Sequence, residues 1–241
     1  LNRTKIEYLD YTWNPIVGCS AFGCAVGLKR CWACRQAKRH INCEACVSFA
    51  PHVHFERFDQ PLDVKKSARI GTAFMGEFYD KEIDLSVQAE IYMRMIQAPW
   101  HQFIVFTKQP QNIDEDAIEG LKNLSIGVSV NNALDLWRIN AIRNLPVGCR
   151  IVSAEPLYAR LSMDLSNIDL LIIGAQTRPT VQPVPAWVQD LIICARQYGT
   201  KVFLKNNLSP IVDVERYREL PEQLCISPFE KGHHCLEVRS K

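Results

Sequence analysis

Six of the ten cysteines in this 241-residue chain fall between Cys19 and Cys46. Cys31 and Cys34 form one CxxC unit and Cys43 and Cys46 another, while Cys19 and Cys24 precede them in the stretch TWNPIVGCSAFGCAVGLKRCWAC. A CxxC brings two thiolates to one centre within a single turn, and the flexible segment before it can deliver a third sulfur from another direction. Zinc and iron-sulfur sites both use that arrangement. Ligand number separates the roles: four cysteines close a structural zinc or a fully ligated cluster, whereas three leave one iron open to a substrate or cofactor. The metal candidates are Cys19, Cys24, Cys31 and Cys34. Cys43 and Cys46 could hold a second metal, join Cys24 or Cys34 in a zinc site, or be free thiols, and His40, His52 and His54 extend the ligand list, although surface or hydrogen-bonded histidines are common. Cys149 and Cys194 sit in strand or helix patterns where a small buried residue is the simpler reading. His233, His234 and Cys235 make a weak metal-like cluster near the end.

A second set of polar groups recurs where apolar runs stop: MGE at Met75 to Glu77, TKQP at Thr107 to Pro110, SVNN at Ser129 to Asn132, SAEP at Ser153 to Pro156, GAQT at Gly174 to Thr177 and LKNN at Leu204 to Asn207. Within this series Lys108, Glu155, Gln176 and Lys205 are the catalytic candidates, since Lys or Glu can exchange protons and Gln can fix orientation. The plainer alternatives are solvated loop cations and an ion pair between Glu155 and one lysine. Arg30, Arg35, Lys38 and Arg39 form a basic run beside the cysteines that could meet phosphates, although a solvated helix face also accounts for it.

The elements that must position these groups alternate in type. Short runs rich in Val, Ile, Leu and Phe predict strands over Arg69 to Met75, Gln102 to Lys108, Leu124 to Asn131, Arg150 to Glu155, Leu170 to Gln176 and Lys201 to Asn206, with a further strand before Asn14. Amphipathic stretches separate them. Leu85 to Ala98 is predicted to turn Leu85, Ile91, Tyr92, Met95 and Ile96 to one face, and Ala133 to Leu145 to use Leu134, Trp137, Ala141 and Leu145 the same way. Pro185 opens and Gly199 closes a last helix. The alternation predicts an α/β fold with a parallel sheet. In a parallel barrel all the strand carboxyl ends face one side, so the polar endings would converge on one cavity. Hydrophobic residues at 47%, charged residues at 22% and a formal net charge of +2 describe an ordinary globular chain, and charge alone does not announce a nucleic-acid binder. No apolar run reaches the roughly 18 residues that span a bilayer, so the expectation is a cytoplasmic protein without membrane association.

The stretch from Tyr11 to Arg39 resembles the phage-associated radical S-adenosylmethionine family of largely unassigned function. The likeness rests on Thr12, Trp13, Asn14, Pro15, Gly18 and Cys19, then Cys31 and Cys34, and continues in order through FTKQP, VSVNN, EPL, IGAQT and VFLKNN, covering about residues 8 to 208. The resemblance implies a parallel partial (β/α) barrel of the radical S-adenosylmethionine type with an N-terminal cysteine-rich cluster segment. It further implies a [4Fe-4S] cluster held by three cysteines and S-adenosyl-L-methionine on the remaining iron. On this reading the chain is a single domain over 1–241, with the cluster segment at about 12–48, the barrel at about 65–208 and a C-terminal extension at about 209–241. Gly76 and Glu77 resemble the element that approaches the methionine amine, and Ser129 and Asn131 would contact the ribose or carboxylate. A reductant such as flavodoxin or ferredoxin is the implied partner, and nucleic acid, for modification or repair, is the substrate class that the family's phage association suggests. The sequence departs from the usual compact CxxxCxxC signature, because the segment containing Cys24 separates Cys19 from Cys31, so three alignments of the cluster ligands are open: Cys19, Cys31 and Cys34, which we favour for the GC after TWNP; Cys24, Cys31 and Cys34; or Cys19, Cys24 and Cys31. The competing reading is a noncatalytic module in which Cys19 to Cys46 hold zinc and shape a surface for nucleic acid or protein.

Overall fold

The computed structural model describes residues 1–20 and 24–226, so the His233, His234 and Cys235 cluster lies outside the described residues. Ten strands are present: β1 (Asn2–Arg3), β2 (Tyr11–Trp13), β3 (Ile16–Val17), β4 (His52–Val53), β5 (Arg69–Thr72), β6 (Gln102–Thr107), β7 (Leu124–Ser129), β8 (Cys149–Ala154), β9 (Leu170–Ile173) and β10 (Lys201–Leu204). Eight of them form one sheet in the order β1-β2-β5-β6-β7-β8-β9-β10, while β3 and β4 pair antiparallel in a separate ribbon. From β2 onward every pairing in the large sheet is parallel, and only β1 runs against its neighbour.

Helices α1 (Trp32–Ala37), α2 (Glu44–Ser48), α3 (Gln60–Asp63), α4 (Leu85–Gln97), α5 (Glu115–Ile118), α6 (Trp137–Ile142) and α7 (Pro185–Tyr198) fill the connections. Side chains alternate between the two sides of a strand, and each side here has its own core. Ile70, Val105, Ile126, Val152, Leu171 and Val202 pack with Ile91 and Met95 of α4, Ile139 and Ile142 of α6, and Leu191 and Ile192 of α7. Burying Ile91 and Met95 contributes about 1.5–3 kcal/mol each. The other side carries Ile104, Ile151, Leu170, Ile172 and Phe203, covered by Tyr8, Leu9 and Leu224 from segments outside the strands. Strands apolar on both sides are why the sequence shows unbroken hydrophobic runs rather than alternation.

All six strands expected from the sequence are present, together with β2 before Asn14, and each ends one to three residues short of its expected limit. The polar endings leave the ladder because their backbone groups bond elsewhere. Lys108 N–H donates to Glu77 Oε2 and Asn131 N–H to Asp135 Oδ2. Two helix faces need correction. In α4, Gln88, Ile91, Tyr92 and Met95 turn inward, while Leu85 and Ile96 are exposed. The stretch from Ala133 splits into a 3-10 turn, Ala133–Asp135, and then α6, with Leu134 85% exposed. A capping box explains the split: Asn132 Oδ1 accepts from Leu134 N–H while Asp135 accepts from the N–H groups of Asn131 and Asn132. Asp135 is then fixed inside by Arg138 at 2.8 Å, which turns Leu134 outward.

Candidate functional site

The cysteine-bearing segment leaves the sheet at Trp13, whose buried indole N–H donates to Arg57 O at 2.7 Å. It is then stitched, residue by residue, to the chain that follows β5. Asn14 Oδ1 accepts from Met75 N–H at 2.9 Å, Gly18 N–H donates to Met75 O at 3.1 Å, and Glu77 N–H donates to Gly18 O at 3.0 Å. Ser20 N–H closes the run by donating to Asp80 Oδ2 at 2.8 Å. The contact leaves no room for side chains. A Cβ on Gly18, which holds φ at +91°, would stand 2.0 Å from Ala50 O, and one on Gly76 would stand 2.8 Å from Gly18 O. The space beside Gly76 is thus taken by the chain itself.

Beyond Gly18, Cys19 N–H donates to Phe49 O at 3.2 Å. Cys31 caps α1, its sulfur accepting from Cys34 N–H at 3.5 Å. Cys34 is buried in a small core with Val17, Ala37, Cys46 and Phe49, against which the half-buried Cys19 and Cys31 pack. Cys24 lies near Tyr158, just past β8: desolvation raises the pKa of the Tyr158 hydroxyl, with Arg30 opposing the rise and the Cys24 thiol adding to it. Among the described residues, Cys19, Cys24, Cys31 and Cys34 do not gather three sulfurs around the single point that a lone ion needs. An iron-sulfur cluster, itself several ångströms across, spaces its thiolates more widely. Around this end of the sheet Ser20 Oγ, Asn131 Oδ1 and Tyr158 OH are buried and lack a hydrogen-bond partner among the described residues. Buried polar atoms are nearly always satisfied, so these three are exceptions, each sealed from solvent in this arrangement.

The remaining sequence-predicted residues divide by how far their groups are already engaged. Glu77 is not a solvated acid. It is buried, Oε1 accepts from Thr107 Oγ1 at 2.6 Å and from Tyr79 N–H at 3.3 Å, and Oε2 accepts from Lys108 N–H. Desolvation raises its pKa against those donors. Ser129, at the end of β7, gives its carbonyl to the Arg138 guanidinium at 2.8 Å. Asn131 donates from Nδ2 to Pro156 O at 2.9 Å, which ties the ends of β7 and β8. Glu155 pairs with Lys205 at 3.0 Å, and Glu7 approaches the same ammonium at 3.6 Å. Desolvation raises the Glu155 pKa. Lys205 is held above its ordinary value although desolvation works the other way, because the two carboxylates outweigh it. Gln176 is bound within its own loop, Nε2 donating to Pro179 O at 3.1 Å. Lys108 is half-buried beside Glu77.

A separate group draws Cys43, Cys46, His52 and His54 together, their ligand atoms all within 4.8 Å of one another. Cys43 Sγ is 3.6 Å and Cys46 Sγ 3.3 Å from His52 Nε2, Cys46 Sγ is 3.4 Å from His54 Nε2, and the two Nε2 atoms are 3.0 Å apart. This group can hold a metal ion. His40, also a candidate from sequence, is exposed and outside it.

Sequence reasoning missed Asp80, Asn14, Glu7 and Tyr158, all of which act through tertiary contacts. Only Asn14 carried a signal, as part of TWNP. Two surface hollows lie elsewhere: one of about 620 Å³ runs along α7 beside Tyr217, and one of about 430 Å³ borders Arg150 and Lys201 at the amino ends of their strands.

A family model described as protein of unknown function (DUF5131) matches residues 3–211, and the chain belongs to that family. Neither the curated proteins nor the solved structures contain a significant match.

Proposed function

We propose that this chain is a radical S-adenosylmethionine enzyme with a partial (β/α) barrel, its [4Fe-4S] cluster held by Cys19, Cys31 and Cys34. The observation that carries the reading is the stitching of the Cys19 segment onto Met75–Glu77 and Asp80, at the carboxyl end of β5. The contact sets the Cys19 segment beside the carboxyl end of β5, and in β/α proteins the chemistry sits on the side where the strand carboxyl ends open. The residues fit the group. Cys19 and Cys31 are half-buried rather than sealed, and Cys24 stands near Tyr158. When bound, the cluster supplies one electron that cleaves S-adenosylmethionine to methionine and a 5'-deoxyadenosyl radical, which takes a hydrogen atom from an unreactive carbon.

The chain's own residues supply geometry and proton control. Gly76 and Gly18 bring backbone close to the cluster loop, and Glu77 locks the ends of β5 and β6 so that the loop has a fixed floor. Ser129 and Asn131 present a carbonyl-anchored strand end and a free amide oxygen to the cofactor. Glu155 and Lys205 form a mostly desolvated pair that can hold or pass a proton, Lys108 offers a second ammonium, and Gln176 fixes the loop after β9. A noncatalytic zinc module accounts for Cys43, Cys46, His52 and His54, yet it leaves the other cysteines without work.

Nucleic acid is the substrate class we favour. Lys29, Arg30, Lys38 and Arg39 are exposed on the cysteine segment, and Trp32 among them is 43% exposed, a pairing of cations with a stacking surface. No helix among the described residues is long and apolar enough to cross a membrane, in keeping with a cytoplasmic setting and a reductant such as flavodoxin or ferredoxin. The deciding experiment is anaerobic purification with iron and sulfide analysis, then reduction in the presence of S-adenosylmethionine. About four irons and four sulfides per chain with 5'-deoxyadenosine formed are expected. A protein that takes up no iron on reconstitution and cleaves nothing would overturn the proposal.

A further inference from the structure

The imidazole hydrogen bonds around the second group decide what sits in it. His52 Nδ1 is 2.8 Å from Ala50 O, and His54 Nδ1 is 2.8 Å from Glu56 Oε1. A carbonyl and a carboxylate only accept, so each Nδ1 carries the hydrogen and each neutral ring leaves a bare lone pair on Nε2. Those lone pairs face each other at 3.0 Å, with two cysteine sulfurs within 3.6 Å of them. With no hydrogen between the two nitrogens the 3.0 Å contact is not a hydrogen bond, and a cation at the centre of the four donors, bound as the thiols give up their protons, accounts for the convergence.

We infer that Cys43, Cys46, His52 and His54 hold one Zn2+ in a closed, four-coordinate structural site, separate from the cysteines of the proposed cluster. With Zn–S of about 2.3 Å and Zn–N of about 2.05 Å, a regular tetrahedron spaces nitrogen from nitrogen by about 3.3 Å and sulfur from nitrogen by about 3.6 Å. Four of the six edges, at 3.0 Å and 3.3–3.6 Å, lie on or slightly inside those values, and all six are within 4.8 Å, so a small inward shift of Cys43 would complete the tetrahedron. Two thiolates and two imidazoles favour zinc over hard cations. Ala50 O and Glu56 are the outer partners that orient ligating histidines in such sites.

The site also has a structural task. The chain between Cys46 and His52 backs the segment that carries Cys19: Phe49 O accepts from Cys19 N–H, Ala50 O lies against Gly18, and His54 N–H donates to Pro15 O at 2.7 Å. β4 contains the ligand His52 and pairs with β3. Zinc therefore closes a clasp around residues 15–19 and sets where Cys19 stands.

The test is metal analysis of the full chain purified anaerobically, with Co2+ exchanged for the native ion. About one zinc per chain is expected, and tetrahedral Co2+ should show visible ligand-field bands with thiolate charge transfer. A Cys31→Ser/Cys34→Ser variant keeps its zinc whatever becomes of its iron, so the inference can stand or fall apart from the proposed catalysis. Glu56→Gln changes a side chain that is 67% exposed and is expected to weaken zinc about 10- to 100-fold in a chelator competition. Zinc removal is expected to speed amide exchange at Cys19. Wild-type protein that binds neither zinc nor Co2+, iron found on Cys43 and Cys46, unchanged zinc affinity in Glu56→Gln or in His52→Ala/His54→Ala, or unchanged exchange at Cys19 would overturn it.

Discussion

Replacing Gly18 with alanine separates two costs that its position combines. Its φ of +91° is unfavourable for any residue with a Cβ, and that Cβ would stand 2.0 Å from Ala50 O, backbone that cannot swing aside. Gly120 is a natural control, because its φ is +82° but a Cβ there meets nothing within 4 Å. The left-handed conformation costs about 1–2 kcal/mol, and the stiffer unfolded chain returns about 0.4–1 kcal/mol. Gly120→Ala should therefore lose no more than about 1.5 kcal/mol. Gly18→Ala carries the same loss plus about 1–3 kcal/mol for forcing atoms into occupied space. For a chain of this length each kcal/mol lowers Tm by about 2–4 °C, so the two variants should differ by about 2–12 °C in parallel melts. Because the clash falls between Cys19 and the Phe49–Ala50 strap, Gly18→Ala should also lower metal content, whereas Gly120→Ala should not. Equal melting temperatures and equal metal content would refute the claim that backbone contact at Gly18 holds the cysteine segment.

Cys24→Ala is expected to retain iron after anaerobic reconstitution and Cys31→Ala to lose it; loss of iron in Cys24→Ala would move the cluster to one of the other two triplets, and iron retained in Cys31→Ala would exclude all three. Lys205→Met strands Glu155 and Glu7 with no cation and should cost about 3–5 kcal/mol in denaturant unfolding, part of which returns in Lys205→Met/Glu155→Gln; additive losses would mean that the pair is not coupled. Arg196 grips Glu219 at 2.9 and 2.6 Å, and Val202 N–H donates to the same carboxylate at 3.0 Å. Although desolvation pushes the other way, these donors hold the Glu219 pKa below its ordinary 4.5. The stability it contributes is present above that value and lost as pH falls through the folded pKa, so the gap between wild type and Glu219→Gln should close below about pH 4.5. A gap that stays constant to pH 3 would contradict the assignment. If Lys38 and Arg39 contact phosphates, their joint replacement by Glu should weaken single-stranded DNA binding and flatten its salt dependence by a slope of about 1.4; an unchanged slope would remove that surface from the substrate path.

The sheet was legible because its strands are buried on both sides, so Phe103 to Phe106 or Leu170 to Ile173 read as unbroken apolar runs. Helix faces were harder. Leu85, Ile96 and Leu134 are apolar but exposed, and nothing local distinguishes them from Ile91 or Met95; the neighbouring strands make that choice. The cysteines show the same limit in a sharper form. Cys31–Cys34 and Cys43–Cys46 have identical spacing, and each places its first sulfur over the amide of its second at a helix start. What separates them is a pair of histidines six and eight residues beyond Cys46, brought back by the pairing of β3 with β4. Spacing thus reveals that thiolates will meet, while the choice of ion depends on which other donors the fold delivers. Here the fold delivers two nitrogens to the Cys43–Cys46 pair and, among the described residues, none to the Cys31–Cys34 pair. A closed ligand set suits an ion that only holds structure, and an open one suits a metal centre that must leave room for a reactant. The proposed zinc clasp holds the segment that carries Cys19, so its occupancy should set how well the proposed cluster forms.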